Sequence, residues 1–477
     1  MSETVVAPLQ PGRQPGLDIN GPAADLHALA LHVCHVKRFI ERWAADDRFR
    51  QALRQDPQGA AREWHLTIDP EAIRPLWDLP TEATDWRHWD MGACETYPLA
   101  AAYLAFRRAR VEAAEALRHI SPASPAYRRW RARQVARCHS VFPRAFADAL
   151  PHAPFACELS LGCSVGCWFC GVGADRLTAH AWYGSGQQWR DILAVLRDFT
   201  GPAAGARGLL YWASDPLDHP QFEHFARDFT HAFGAPPHTT TALATRDAER
   251  TRRLLPHATA ESPLGVRFSV LSVAALDRIH AAFTAESLAH VELVPQTPGS
   301  VLRKVPVGKA RLRLMSGSPP PTGRVPLNEG APSIACVSGL LINLVSGRVR
   351  LITPAPCSDR EPDGYRTIAQ GQFSTAADLE QLVSQMVAEH MRVLPAEDLP
   401  LRAVDGLTVH ERDDGFELAS AHARHVVAGG PLTRQLGQWL AGGCTLAQLR
   451  QWVTSFGLPA EVADTWVIEL FDSGCLA

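Results

Sequence analysis

The stretch ELSLGCSVGCWFCGVGA, residues 158–174, decides how the rest of the chain is read. Cys163, Cys167 and Cys170 are separated by three and by two residues, and an apolar run that reads as a β-strand, Ala156–Leu161, leads straight into them. Three thiolates at that spacing can close around one corner of a cuboidal iron–sulfur cluster. Gly162, Gly166, Gly171 and Gly173 supply the freedom and close approach that a loop needs to wrap such a group. Three cysteines hold three irons of one [4Fe–4S] cluster, which leaves the fourth iron open to chelate a small molecule. The alternative is a zinc site with Cys157 as fourth ligand. It is the weaker reading, because Cys157 lies inside the strand and structural zinc sites favour two short-spaced pairs.

Downstream of the loop, short apolar runs alternate with helical stretches. Strands are expected at Ala156–Leu161, Gly208–Trp212, Thr239–Ala244, Val266–Leu271, Val291–Val294 and Arg311–Met315, with helices at Asp191–Phe199 and Gln221–Phe233. Such alternation implies an α/β fold, a partial (β/α)6 barrel over residues 151–330 with its chemistry at the C-terminal ends of the strands. Residues 331–395 follow as a hairpin about Ser346-Gly347 and a helix at Gln381–Arg392, completing the active site. Residues 396–477 read as a strand pair and three short helices, Leu432–Leu440, Leu446–Val453 and Ala460–Phe471, the second capped by Thr445. That is a winged-helix-like α+β unit.

Upstream, residues 1–22 are rich in Pro and Gly and read as a disordered tail. Residues 23–80 form a helical unit in which Asp56-Pro57 and Asp69-Pro70 each mark a helix start, and residues 81–150 continue as a helical linker region. Between residues 105 and 150 there are ten arginines against Glu112, Glu115 and Asp148. Such an excess is read either as a solvated helix face or as a docking surface for an acidic partner.

The 477 residues are enough for several domains, and a 46 % hydrophobic, 20 % charged composition excludes wholesale disorder. A net charge of −3 gives no reason to expect a nucleic-acid partner. No run approaches the length of a membrane span and the opening residues lack a secretory pattern, so a cytoplasmic protein is expected. Eleven cysteines in such a chain point to metal binding or thiol chemistry rather than to disulfides.

With CSVGCWFC after the first strand of a βα barrel, the chain resembles the radical S-adenosylmethionine enzymes. The resemblance implies that the open iron binds the amino and carboxylate groups of S-adenosylmethionine, whose reductive cleavage yields a 5′-deoxyadenosyl radical that abstracts a substrate hydrogen. It further implies that Ala213-Ser214-Asp215 stands where the family has a Gly-Gly-Glu-like segment on the cofactor's amino group, keeping a carboxylate and losing the glycines. By the same resemblance Ser269, Ser272 and Arg278 are contacts to the ribose and carboxylate, and Phe169 lies against the adenine through its backbone.

ELSLGCSVGCWFCGVGA, LLYWASDPLDHP and IACVSGLLINLVSGRVRLITPAPCSDREPDGY together look like the radical peptide epimerases, which convert L to D residues in ribosomally made peptides. The N-terminal helical unit resembles leader regions of nitrile-hydratase-like and Nif11-like precursor peptides, and the C-terminal unit resembles leader-recognition elements; either is equally read as a structural cap. The partners implied are a precursor peptide with its leader and an external electron donor. Inversion at Cα needs a hydrogen atom delivered opposite the face from which one is taken, and a thiol is the natural donor. Cys357, on the Pro-bounded loop Thr353-Pro-Ala-Pro-Cys357-Ser-Asp-Arg360, is the first candidate and Cys336 its rival. Asp359 and Arg360 either orient the peptide or pair at the surface. Without a second cysteine-rich segment, one cluster is expected. Another radical peptide modification, crosslinking or methylation, and a non-catalytic leader-binding metalloprotein remain open. His32, Cys34 and His35 do not share a helix face well enough for a metal site, and His219 and His280 read as hydrogen-bonded polar residues.

Overall fold

The first long strand, β1 (Ala153–Glu158), is buried along its whole length, paired with a full strand on one side and through a single bridge on the other. The computed structural model describes residues 23–78, 96–260, 265–318 and 332–476, and of 23–31 the backbone alone. The expected tail, residues 79–95 of the helical region and Cys94 lie outside the described residues. Contacts divide the chain into two units, one formed by residues 1–119, 238–304 and 320–326, the other by 120–237, 305–319 and 327–477. The stretch expected to form a barrel thus contributes to both.

In the second unit β1 runs parallel to β7 (Val337–Asn343), and β7 continues antiparallel through β8 (Arg348–Pro354) and β9 (Tyr365–Gln372). On its other side β1 meets a single residue: Leu209 accepts from Cys157 N at 2.8 Å and donates to Phe155 O at 3.1 Å, a one-residue parallel bridge to Ala156. The expected strand Gly208–Trp212 is therefore reduced to this bridge. Gly208 permits the approach, since a Cβ there would lie 2.3 Å from the Phe155 ring. The helix Gln187–Thr200 connects β1 to Leu209, as a βα unit requires. The expected hairpin about Ser346-Gly347 is present, its turn closed by Asn343 Oδ1, which accepts from Val345 N and Ser346 N.

The first strand is shorter than expected: Ser160–Leu161 (β2) leaves β1 and pairs antiparallel with Ala179–His180 (β3). Arg311–Met315, expected as a strand, belongs to the helix Gly308–Met315. Its Arg-Leu-Arg-Leu alternation imitates a strand period, yet Leu312 and Met315 are 61 % and 65 % exposed, and Ala, Arg, Leu, Lys and Met all favour helix. The helix Ala376–His390 spans the expected Gln381–Arg392 apart from its last two residues and starts with a Thr375–Asp378 capping box.

The C-terminal part has three strands where a pair was expected: β10 (Thr408–Arg412), β11 (Gly415–Ala419) and β12 (Arg424–Ala428), antiparallel in that order. Three helices follow, Pro431–Gly442, Leu446–Ser455 and Glu461–Asp472, the second opened by a Thr445–Gln448 capping box. Phe416, Leu418, Leu436, Leu446, Leu449 and Val467 form their common core.

In the first unit β4 (Thr239–Thr241), β5 (Val266–Val270) and β6 (Glu292–Pro295) make a parallel sheet, with the helix Val273–Ala282 between the last two strands. Helices Asp47–Gln55 and Pro57–Glu63 and the 3-10 helix Pro70–Leu76 begin at Asp46, Asp56 and Asp69, each side chain accepting from backbone N–H groups of the first turn. Phe39, Phe49 and Trp64 stack edge to face at 5.3 Å in their core. Among the described residues no closed barrel occurs, and no helix is long and apolar enough to cross a membrane.

Candidate metal centre

The cysteine loop is closed at its neck and braced from three directions, all within the second unit. At the neck Cys163 N donates to Asp175 O at 2.9 Å, and Gly162, with φ +85°, lies so close to Arg176 that a Cβ would sit 2.2 Å from its carbonyl oxygen. Glycine is required there by both conformation and space. One brace comes from Asp218, which is buried and accepts from Ser164 N at 2.8 Å and Ser164 Oγ at 2.5 Å. A second comes from residues 307–309: Lys309 N donates to Cys170 O at 2.9 Å, and Lys309 Nζ donates to Ala174 O. Gly308, with φ +53°, presses against the loop, a Cβ there falling 2.4 Å from Gly171 O and 2.5 Å from Cys170 O. The third brace is Ile334, whose side chain fills the space that a Cβ on Gly171 would occupy.

The thiols are half-buried electrostatic neighbours. Burial, reinforced by Asp215, Asp218 and Cys170, pushes the Cys163 thiol up to about 11; burial and the other two thiols push Cys167 up to about 12. Ala174 N donates to Cys170 Sγ at 3.3 Å. Three soft donors on a glycine-rich loop, one already accepting a backbone N–H, fit an iron–sulfur cluster by donor chemistry. Cys157 is wholly buried in β1, where burial drives its thiol far above the ordinary range. Among the described residues no three His, Cys, Asp or Glu side chains are gathered closely enough to close on a single metal ion.

Two acidic residues at this site escaped the sequence reading. Glu158, the last residue of β1, is buried; its Oε1 accepts from Ala213 N at 2.8 Å and its Oε2 from Asn343 Nδ2 at 3.1 Å, tying the Ala213-Ser214-Asp215 segment to β1 and β7. Burial raises its carboxyl above the usual carboxylate range against these hydrogen bonds. Asp218 was read only as part of its motif. Asp215, expected on the cofactor, is buried and caps the short 3-10 turn after it, accepting from Leu217 N at 3.0 Å, while Ser214 is half-exposed beside it. Phe169 is half-buried with its ring edge-on to Trp168.

Both hydrogen-donor candidates lie in this unit. Cys357 donates through N to Pro332 O at 2.8 Å and through Sγ to Pro362 O at 3.1 Å. Pro362 O also accepts from Gly308 N at 2.9 Å, so the thiol and the cysteine loop are joined through one carbonyl and one glycine. Asp363, on the same turn, packs on Gly173. Burial raises the Cys357 thiol, with Arg311 opposing and Asp363 and Asp359 assisting. Asp359 pairs with Arg311 at 2.6 Å, and Arg360 is exposed. Cys336 immediately precedes β7 and packs against the buried cluster that includes Ala156, Leu209, Trp212 and Val337.

An uncharacterized protein of Sinorhizobium fredii, y4wI, is 35 % identical to this chain over 401 residues, which cover 82 % of the chain and 77 % of y4wI. The chain belongs to the y4wI family. No model of a known protein family matches it, and no solved structure does.

The remaining sequence-selected residues of this y4wI-family chain have structural partners or lie elsewhere. Ser269, Ser272 and Arg278 belong to the first unit, not to the one that carries the thiols; Ser272 caps the helix Val273–Ala282 by accepting from Ala275 N at 3.1 Å, and Arg278 is exposed on that helix. His219 donates to Ala181 O and accepts from Gln221 N, both at 3.0 Å. His280 bonds to Glu41 at 3.2 Å, and His35 to Glu286 at 3.0 Å. In the arginine-rich stretch, Arg129 forms a two-pronged pair with Asp472, Arg133 lies 4.0 Å over the Phe471 ring, and Arg137 donates to Leu476 O at 2.9 Å. Arg129 and Arg133 thereby brace the helix Glu461–Asp472, and Arg137 holds the segment after it.

Proposed function

We propose that this protein is a radical S-adenosylmethionine peptide epimerase on a partial βα barrel, acting in the cytoplasm on a ribosomally made precursor peptide. The observation that carries the reading is the junction of two loops: a closed, glycine-rich turn bearing three neighbouring thiols, braced through Gly308 and Pro362 by the turn that holds Cys357. Cys163, Cys167 and Cys170 would hold one [4Fe–4S] cluster. When bound, the cluster and S-adenosylmethionine supply the radical that takes a Cα hydrogen from the peptide. Asp218 fixes the thiol loop at Ser164 and Glu158 fixes Ala213 to Asn343, each by accepting two hydrogen bonds. Cys357 then gives its Sγ hydrogen atom to the opposite face of the planar Cα, breaking S–H and forming C–H. The sulfur is left one electron and one proton short, and an external donor returns both. A thiol raised by burial stays in the S–H form that this step needs.

The test is mass spectrometry of a candidate precursor peptide after reaction with the anaerobically reconstituted protein in D2O. Gain of about one mass unit per event, matched to D residues after hydrolysis and lost in Cys357→Ala, is the expected result, because the thiol hydrogen exchanges with solvent. Cleavage of S-adenosylmethionine without deuterium in the peptide would overturn the epimerase reading in favour of crosslinking or methylation. Bound zinc without any cleavage would overturn the radical reading itself.

A further inference from the structure

A cavity of about 320 Å³ is lined by Pro356 and Ser358, the chain neighbours of Cys357, whose own side chain turns to Pro362 O instead. Arg360, Arg137, Arg366, Glu361 and Asp405 are its charged lining residues, set among apolar ones such as Val141 and Val404. Its size is at the lower end of ligand sites, where a few convergent polar groups decide what enters.

The three guanidinium groups are not equivalent. Arg366 is paired twice: Nε donates to Glu361 Oε1 at 3.1 Å and Nη2 to Asp405 Oδ2 at 2.7 Å. The other oxygen of Glu361 is held by Ser358 Oγ at 2.9 Å. Glu361 is thus held at both oxygens, and Asp405 through Oδ2. Arg137, by contrast, makes no ion pair among the described residues. Its Nη2 reaches only the Leu476 carbonyl, and its Nε is buried without a hydrogen-bond partner. Burial pulls this guanidinium down to about 10, so it remains charged at neutral pH. Arg360 adds a second cation at the exposed side. Arg137 is half-buried with a sealed, unbonded Nε and has only the non-contacting Asp405 as an opposing charge, and a guanidinium matches a carboxylate through two parallel N–H donors.

We propose that this cavity is a carboxylate-binding subsite, in which Arg137 and Arg360 receive a carboxylate of the peptide that Cys357 serves. The inference rests on the peptide-modification reading and adds what that reading lacks, a chemical preference for an acidic residue or a free chain end near the position being modified.

Binding is measured by fluorescence anisotropy at low salt with the full-length protein and three fluorescein-labelled Gly/Ser decapeptides. One carries a central Glu and an amidated end, the second a central Gln and an amidated end, the third a central Gln and a free C-terminal carboxylate. The Glu peptide is expected to bind about tenfold or more tightly than the Gln amide, the gain of a charge-assisted hydrogen bond. Arg360→Gln, at an exposed position, should remove most of that preference, as should Arg137→Met if it folds. A preference carried only by the free-acid peptide also supports the subsite and assigns it to a chain end. Equal binding of all three peptides, or a preference for carboxylate that survives in Arg360→Gln and in folded Arg137→Met, overturns it. The readout needs no cluster or turnover, so failure of the deuterium experiment with an arginine-dependent preference intact would remove the epimerase reading and leave the subsite standing.

Discussion

Gly308 and Gly317 flank one helix and both have left-handed backbone, at φ +53° and +65°, but only Gly308 touches the cysteine loop. Alanine at either position costs about 1–2 kcal/mol for placing a Cβ in that conformation. At Gly317 nothing else follows, because no described atom lies within 4 Å of the new methyl. At Gly308 the methyl would fall 2.4 Å and 2.5 Å from the backbone oxygens of Gly171 and Cys170, which no side-chain rotation relieves. Displacing packed backbone adds about 1–3 kcal/mol. For a unit of this size each kcal/mol lowers Tm by about 2–4 °C. Gly317→Ala should therefore lower Tm by about 2–8 °C, and Gly308→Ala by roughly twice as much. The decisive readout is iron bound per chain after anaerobic reconstitution, alongside scanning fluorimetry. Gly317→Ala should load iron as the native chain does, whereas Gly308→Ala should lose more than half of it. Equal iron loading in the two variants would refute the argument that residues 307–309 shape the thiol loop.

Three further outcomes are expected. Cys157→Ala should leave iron content unchanged, since its thiol is sealed in β1; loss of metal would favour the four-thiol zinc site. Because burial places the Cys357 thiol above its ordinary value near 9, deuterium incorporation should hold steady through neutral and mildly alkaline pH and fall only above that value. A decline between pH 7 and 8.5 with unimpaired S-adenosylmethionine cleavage would exclude this thiol as donor. Glu158 has its carboxyl raised by burial, so its contribution is full in acid and is lost as pH rises through the raised value. The Tm advantage of the native chain over Glu158→Gln should accordingly widen as pH drops from 7 to 5; a narrowing would contradict the direction of the shift.

Much of the architecture was legible because its signals are local. The Asp-Pro helix starts, the Thr445 cap and the Ser346-Gly347 turn each need only a few neighbouring residues, and each is found where the sequence puts it. Arg311–Met315 failed for the complementary reason: its apolar alternation faces solvent, so helix propensity prevailed. Within the candidate site the thiol spacing was visible, whereas the supports were not. Asp218 acts on Ser164 across 54 residues and Glu158 on Ala213 across 55, separations over which no periodicity carries information. Counting arginines likewise missed that Arg129, Arg133 and Arg137 are matched to Asp472, Phe471 and Leu476, far along the chain. Asp215 was visible as a carboxylate but not as a cap, because its partner N–H is committed only once the chain turns.

The braces on the cysteine loop are also ordered in time. The thiols leave the ribosome within the stretch 163–170, but Gly308, Ile334 and the turn carrying Cys357 and Pro362 follow much later. At ordinary elongation speeds the lag between Cys170 and Pro362 is about 10–40 s. During that interval the nascent chain presents its soft ligands without their cover, open to capture by stray metal or to oxidation. Iron delivered before the turn at Pro362 emerges would meet a loop held only at its neck and by Asp218, while iron delivered afterwards would meet a finished cradle. If the thiols hold the proposed cluster, this order of synthesis favours late metallation.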